Sequence, residues 1–278
     1  MKVFNIAWLT FHEARRRQLL VVGMGLALVF LLLYALAFYA IRSGLVRQMG
    51  DATSQPVRQM QTTFTLLGLY AVNFLIVILS VLISVDTISG EIASHSIQSV
   101  LTKPLQRWEV MLGKWLGLAA IITASVALMG GGVALIARAA SGYFLNNLLG
   151  GLTLMALEGW ILLALTLLGG TLFSTLTNGV IVFMLFGLAF LGGWTEQVGS
   201  LLENETAVRI GIVSSLLMPT EALWRKAADL MQPTSVSVLL AGPFATASVP
   251  SAAMVVYAVI YGMAALAAAL YAFGRRDL

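Results

Sequence analysis

Six long stretches of apolar residues constrain this chain more than any other feature of its sequence. They cover residues 19–41, 64–85, 115–137, 151–173, 180–194 and 251–273. An α-helix of about 20 apolar residues crosses the hydrocarbon core of a bilayer, and its backbone hydrogen bonds are satisfied internally. We therefore predict an all-α membrane protein, a six-transmembrane-helix bundle that forms a single domain over residues 1–278. The fifth stretch is short for a span, so we expect it to be tilted little, broken, or completed by neighbouring residues.

The composition supports this class and excludes several others. The chain is 59% hydrophobic and 10% charged, whereas soluble domains average about 25% charged residues. It contains no cysteine, which excludes disulfides and thiolate metal sites, and its two histidines are too few for a histidine metal cluster. The net charge of +4 does not indicate nucleic-acid binding, because the basic residues lie beside apolar stretches, where lipid headgroups explain them.

Basic residues cluster at the outer ends of the first and last stretches. Arg15, Arg16 and Arg17 precede the first stretch, and Arg275 and Arg276 follow the last. Lysine and arginine next to a span mark its cytoplasmic side. An even number of spans places both termini on one side of the membrane, so we predict that both are cytoplasmic.

Two further segments are predicted to be helical without spanning the membrane. Phe4, Trp8 and Phe11 share one helical face, which favours an interfacial helix over residues 1–17, although the same face could pack on the bundle. The outer segment, residues 195–250, contains a mixed stretch at 210–230 that Pro219 interrupts. We interpret that stretch as short outer-surface helices before the last span, partly dipping into the membrane.

The polar segment at residues 86–114 separates the second and third stretches. Asp86 or Ser89 could cap a helix that includes Glu91, and Pro104 would end it. A second helix would begin near Gln106 and continue into the third span. This pattern predicts a helix lying across the cytoplasmic mouth of the bundle, able to dock another protein. An ordinary solvated loop is the alternative.

The segment resembles the cytoplasmic loop of ABC type-2 permeases, the membrane subunits of ATP-driven exporters. The resemblance is carried by the acidic residue followed by Leu101, Pro104, Arg107 and the pair Gly113-Lys114. The six-span layout, the basic amphipathic N-terminus, the long outer segment and the Arg275-Arg276-Asp277-Leu278 ending are similar too. Many members have Gly-Thr where this chain has His95-Ser96, a departure that bears on the geometry of the helix.

The resemblance implies a coupling helix that sits in a groove of a separate ATPase subunit. The residues it assigns to this contact are Asp86, Glu91, His95, Leu101, Pro104, Arg107 and Lys114. It further implies two ATPase subunits, a second copy of this permease or a homologous one, and a location in the cell (inner) membrane. Gly113-Lys114 is followed by Trp115, and the chain has no phosphate-binding loop. ATP and Mg would therefore be bound by the partner, and this chain would be neither an enzyme nor a cofactor carrier.

Glu158 is the one acidic residue inside the six apolar stretches. A charge there is costly, so its side chain should face the bundle interior, a cavity or a partner subunit. Glu158 could contact substrate on the translocation path, or it could fix helix packing as a protonated or hydrogen-bonded carboxyl. Asn73 in the second stretch is more typical of a packing hydrogen bond.

Two other functions remain open at this stage. A non-transporting membrane assembly or anchor subunit would share the same span pattern. An intramembrane enzyme would need paired acids, a Ser/His pair or clustered metal ligands inside its spans, and Glu158 stands alone in the six stretches. The sequence does not identify a substrate.

Overall fold

The computed structural model describes residues 2–16, 18–51, 54–93, 106–232 and 248–275. Nine helices lie in these ranges and are numbered here in chain order. They are α1 (Lys2–Arg16), α2 (Gln18–Met49), α3 (Gln55–Ala93), α4 (Arg107–Ser141), α5 (Leu148–Leu172), α6 (Thr175–Leu201), α7 (Glu205–Leu217), α8 (Thr220–Met231) and α9 (Ala252–Arg275).

Six of these helices, α2 to α6 and α9, are long and apolar enough to cross a membrane, which confirms the predicted bundle. The fifth span is not short. Helix α6 continues through Trp194 to Leu201 and has 27 residues, so neighbouring residues complete it. The segment beyond the apolar run includes Glu196, whose charge hid the true end of the helix.

Helix α3 corrects one prediction about the polar segment. We expected Asp86 or Ser89 to cap a new helix, but α3 runs through both residues without interruption to Ala93. The Ser89 hydroxyl donates to the carbonyl of Val85 at 2.8 Å, and the Thr87 hydroxyl donates to that of Ile83 at 3.1 Å. A serine whose hydroxyl bonds back to the preceding turn lies inside a continuing helix and is not free to cap a new one.

Helices α3, α4 and α5 form the centre of the bundle. Their side chains supply most of one large apolar core, which includes Ile76, Ile122 and Leu163. Helices α2 and α9 lie at the periphery. In the most apolar part of each, only 17% is buried, against 56% for α3. Such exposed apolar faces suit contact with lipid or with another membrane helix.

Helix α1 packs along the first turns of α4. A Cβ atom placed on Gly117 would lie 2.6 Å from the Ala7 carbonyl oxygen, and one on Gly113 would lie 2.7 Å from the Ile6 Cβ. Two glycines four residues apart thus let the two helices approach closely. Phe4 and Trp8 point away from this contact and are exposed, while Phe11 packs against the core. The expected interfacial position of α1 stays a prediction, which this two-faced arrangement favours.

Helices α7 and α8 are the two short helices expected around Pro219, which precedes α8 directly. Helix α7 folds back along α6, where Gly211 comes close to the Gly192 carbonyl oxygen and to Glu196. Helix α8 is almost wholly buried and packs against α5, α6 and α9. The short helix α8 therefore belongs to the packed bundle, not only to its surface.

Candidate functional site

Two polar regions lie at different levels of the bundle. We call the end that holds α1, the start of α4 and the α5–α6 turn the α1 end. The opposite end, which holds α7, is the α7 end. Because successive spans alternate in direction, the last turn of α3 and the first turn of α4 both lie at the α1 end.

Polar contacts tie three elements together at the α1 end. The hydroxyls of Ser89 and Thr175 lie 2.7 Å apart, and Thr175 donates to the Asp86 carboxylate at 3.4 Å. The Lys114 ammonium is buried and donates to the Thr87 carbonyl oxygen at 3.3 Å. The end of α3 is thereby joined to the α5–α6 turn and to the first turns of α4.

The start of α4 was predicted near Gln106, and the structure confirms it. The Gln106 backbone N–H donates to the Glu109 carboxylate at 2.8 Å, and the two residues form a capping box. Such a cap satisfies donors that would otherwise be exposed at the first turn. Arg107 is half-buried beside it. The cap therefore fixes the point at which the polar segment enters α4.

The residues predicted to contact the ATPase differ in how exposed they are. Asp86 is exposed near the end of α3, and the backbone of Glu91 belongs to the last turn of that helix. Lys114, in contrast, is only 7% exposed, so it packs within the protein. His95, Leu101 and Pro104 lie outside the described residues.

The second polar region is buried between α3, α5, α6 and α8. Glu158 on α5 is 1% exposed, and Asn73 on α3 lies beside it and is 4% exposed. The Asn73 side chain is close enough to Glu158 to stabilise its carboxylate, although no described residue completes a full hydrogen bond to either Glu158 carboxyl oxygen or to the Asn73 amide oxygen. Glu158 therefore faces the bundle interior, as its position in a span required.

A buried ion pair, which the sequence analysis missed, lies next to this site. Arg225 on α8 donates to the Glu196 carboxylate on α6 at 2.8 Å, and the two side chains are 2% and 7% exposed. Arg225 also donates to the Ser248 carbonyl at 3.3 Å and to the Ser215 hydroxyl at 3.4 Å. The Ser248 hydroxyl donates to Glu196 at 2.6 Å. Helices α6, α7 and α8 and the chain entering α9 are thus joined.

Glu221, one turn before Arg225 on α8, completes this buried acidic group. It is 3% exposed and acts electrostatically on both Glu158 and Glu196. Burial raises the pKa of Glu221 to about 8, with Arg225 lowering it and Glu196 raising it. Glu158 is the one acidic residue of the six apolar stretches, but in the folded protein Glu221 acts on it electrostatically from a helix outside those stretches. The i, i+4 spacing of Glu221 and Arg225 beside an apolar stretch was the signal available in the sequence.

These groups have limited chemical capacity. In the ranges that the structure describes, no group of three or more His, Cys, Asp or Glu residues could hold a metal ion. Arg225 forms its ion pair with Glu196 and acts on Glu221 through its charge, and no ion pair to Glu158 is present among the described residues. Such carboxyls can bind protons or contact a permeating molecule, and by themselves they do not assemble a hydrolytic centre.

Comparison with known proteins places the chain in a family. The model of the ABC-2 family transporter proteins matches residues 4–278, which include all six spanning helices. A search of curated proteins gave no match. The family match agrees with the resemblance carried by the polar segment and with the observed bundle. The chain therefore belongs to the ABC-2 transporter family and is a multi-pass membrane permease subunit of an ABC transporter.

Proposed function

We propose that this permease belongs to an exporter, whose α1 end faces the cytoplasm and receives a separate ATPase. Membership of the family implies an ABC ATPase partner. The basic clusters before α2 and at the end of α9 support the orientation, since lysine and arginine concentrate on the cytoplasmic side. We expect the protein in the cell (inner) membrane, with two ATPase subunits and a second copy of the permease or a homologue.

One observation carries the proposed site of coupling. The segment between Ala93 and Arg107 is anchored at both ends by helices that extend beyond the apolar core. Those ends are tied to each other through Lys114 and Thr87, and to the α5–α6 turn through Ser89 and Thr175. Force applied to this segment would therefore reach the three central helices α3, α4 and α5, which share one core.

The roles of the individual contacts follow from their exposure. Asp86 is exposed and Arg107 is half-buried, and we propose that both face the ATPase. We propose the same for Glu91, His95, Leu101 and Pro104, because the family resemblance assigns them to this contact. Lys114 is buried, so we propose that it positions the start of α4 and does not touch the partner. Glu158 and Asn73 would lie along the permeation route or beside it.

Charge reversal tests the docking proposal. Arg107→Glu should reduce co-purification of the ATPase, or leave it bound with its hydrolysis uncoupled from transport, while the permease stays folded. The matched control is Arg209→Glu, because Arg209 is 79% exposed at the α7 end and pairs with Glu205 on the same helix. If the two variants affect ATPase binding and the coupling of hydrolysis to transport equally, docking at the α1 end is contradicted.

Co-purification also separates the exporter from an anchor subunit. A permease must form a stoichiometric complex with the ATPase and must change its hydrolysis rate when reconstituted in lipid. An anchor would join a different complex, and an intramembrane enzyme would need no ATPase.

A further inference from the structure

A cavity of about 370 Å³ lies between helices α1, α2, α3 and α4. Phe11 of α1, Leu79 of α3 and the α2 residues Gly23 and Ala27 contribute to its lining. Leu128 of α4 also lines the cavity and is 42% exposed. The cavity therefore opens on the apolar outer surface of the bundle, away from the buried acidic group.

The cavity exists because α2 and α4 separate between two close helix contacts. Toward the α7 end, a Cβ atom on Gly132 of α4 would lie 2.9 Å from the Leu31 side chain of α2, so these helices touch. Toward the α1 end, Gly117 of α4 packs against Ala7 of α1. The α4 part of the lining falls between the two contacts, at residues 121–129. At a rise of 1.5 Å per residue, this length is about 12 Å.

The lining of the cavity is suited to a hydrocarbon ligand. Among the described residues, its one polar side chain is Ser125, whose hydroxyl donates to the Ile121 carbonyl at 2.9 Å within α4. The small residues Gly23, Ala27 and Ala124 leave the space open. A polar ligand would lose hydrogen bonds to water on entering such a cavity, whereas a hydrocarbon chain would lose none.

The size of the cavity and the charge beside it favour one occupant. A helix with its side chains is about 10–12 Å across, so a helix of a second protein does not fit into a cavity of this volume. The chain passes from Phe11 to Gly23, which both line the cavity, through Arg15, Arg16 and Arg17. The junction of α1 and α2 thus carries three positive charges. Basic residues beside pockets between membrane helices bind anionic lipid headgroups.

We propose that this cavity binds one acyl chain of an anionic phospholipid, whose negatively charged headgroup lies at the basic junction of α1 and α2. The acyl chain fills the space between α2 and α4, and the headgroup offsets the charge of the arginines. Binding requires the bilayer alone and no ATPase, so the proposal is independent of the exporter assignment.

Photocrosslinking of the full-length chain in phosphatidylcholine nanodiscs tests the acyl-chain site. The probe is a phosphatidylglycerol that carries a diazirine on one acyl chain and is present as a small fraction of the lipid. Mass spectrometry of peptide fragments should place adducts at Met24 and Leu128, which line the cavity. Adducts should be rarer at Leu135, which is 65% exposed on the same helix and lies outside the cavity. Adducts spread equally over these positions would overturn the proposal.

Filling the cavity distinguishes a defined site from general lipid contact. Ala124→Phe should abolish the adducts at Met24 and Leu128, because the ring occupies the place of the acyl chain. Ala127→Phe is the matched control, since Ala127 lies on the same helix outside the lining. Both native alanines are exposed, so neither change disturbs the core. Adducts that persist in Ala124→Phe would overturn the proposal.

Competition by unlabelled lipid tests the headgroup. Phosphatidylglycerol should displace the probe from the wild type at lower concentration than added phosphatidylcholine does. The double variant Arg15→Gln and Arg16→Gln should reduce this difference by about fivefold for each arginine, while Arg209→Gln on exposed α7 should preserve it. The wild-type measurement needs no variant, so it decides the matter even if a variant folds poorly. Equal competition by the two lipids would overturn the proposal.

Discussion

Arg225 is among the largest side chains that are fully buried in the described part of the molecule, and it forms an ion pair with Glu196. Removing one partner of a buried ion pair costs about 3–5 kcal/mol, because the other charge stays buried without compensation. We expect Arg225→Met to lower the free energy of unfolding by that amount, measured by denaturant titration in detergent. Adding Glu196→Gln should restore much of the loss.

A matched exposed pair provides the control for this prediction. Arg209 and Glu205 on α7 are spaced i, i+4, and their side chains are 79% and 83% exposed. Exposed pairs contribute less than about 1 kcal/mol, so Arg209→Met should be close to neutral. Similar losses at Arg225 and Arg209 would show that burial does not determine the cost.

Glu221 gives the stability of the protein a pH dependence with a defined sign. Its pKa is about 8 in the folded protein and 4.5 as an isolated group, so between these values the folded state binds more protons. Stability from this group is complete below pH 4.5 and is lost as the pH rises through 8. The midpoint of thermal unfolding should fall over this range, and Glu221→Gln should flatten the fall. An unchanged slope in that variant would contradict the assignment.

The sequence predicted where the Glu158 side chain lies better than it predicted which residues lie near it. Glu158 was expected to face the interior from its place in a span, and it does. Its proximity to Glu221 was not predictable, because 63 positions of chain separate them and only the fold of α8 against α5 brings them together. Side chains on one helix follow from periodicity, whereas contacts between distant helices depend on packing.

The contact between α1 and α4 depends on the absence of side chains at Gly113 and Gly117. Gly117→Ala would place a methyl group against the Ala7 backbone, and overpacking costs about 1–3 kcal/mol. We expect that loss of stability, together with faster proteolysis of α1. Gly131→Ala on the same helix meets nothing within 4 Å and should stabilise α4 by up to about 1 kcal/mol. Equal effects would argue against a close α1–α4 contact.

The apolar stretches predicted that the spanning helices exist, but they did not predict where those helices end. All six spans were predicted, because 20 apolar residues in lipid have few alternatives to a helix. The end of α3 was misplaced since Ser89 bonds back to Val85 within the helix, and the end of α6 was misplaced since Glu196 is neutralised by a distant arginine. In both cases a polar residue suggested that a helix ends, whereas in the folded protein that residue has a hydrogen-bond or ion-pair partner and the helix continues.

At the scale of the whole molecule, the orientation of the bundle decides which polar region meets the ATPase. The α1 end and the α7 end are chemically different, and only one can face the cytoplasm.

The chain has no cysteine, so single cysteines can be introduced into an unreactive background. Thr177→Cys reports the α5–α6 turn at the α1 end, and Glu205→Cys reports α7; both native residues are exposed. In intact cells, or in spheroplasts if an outer membrane is present, a membrane-impermeant thiol reagent should label the cysteine at position 205 only. Labelling at position 177 should require permeabilisation, because the reagent cannot cross the bilayer to a cytoplasmic turn. The reverse pattern would place the α7 end in the cytoplasm. It would move the docking site to α7 and α8.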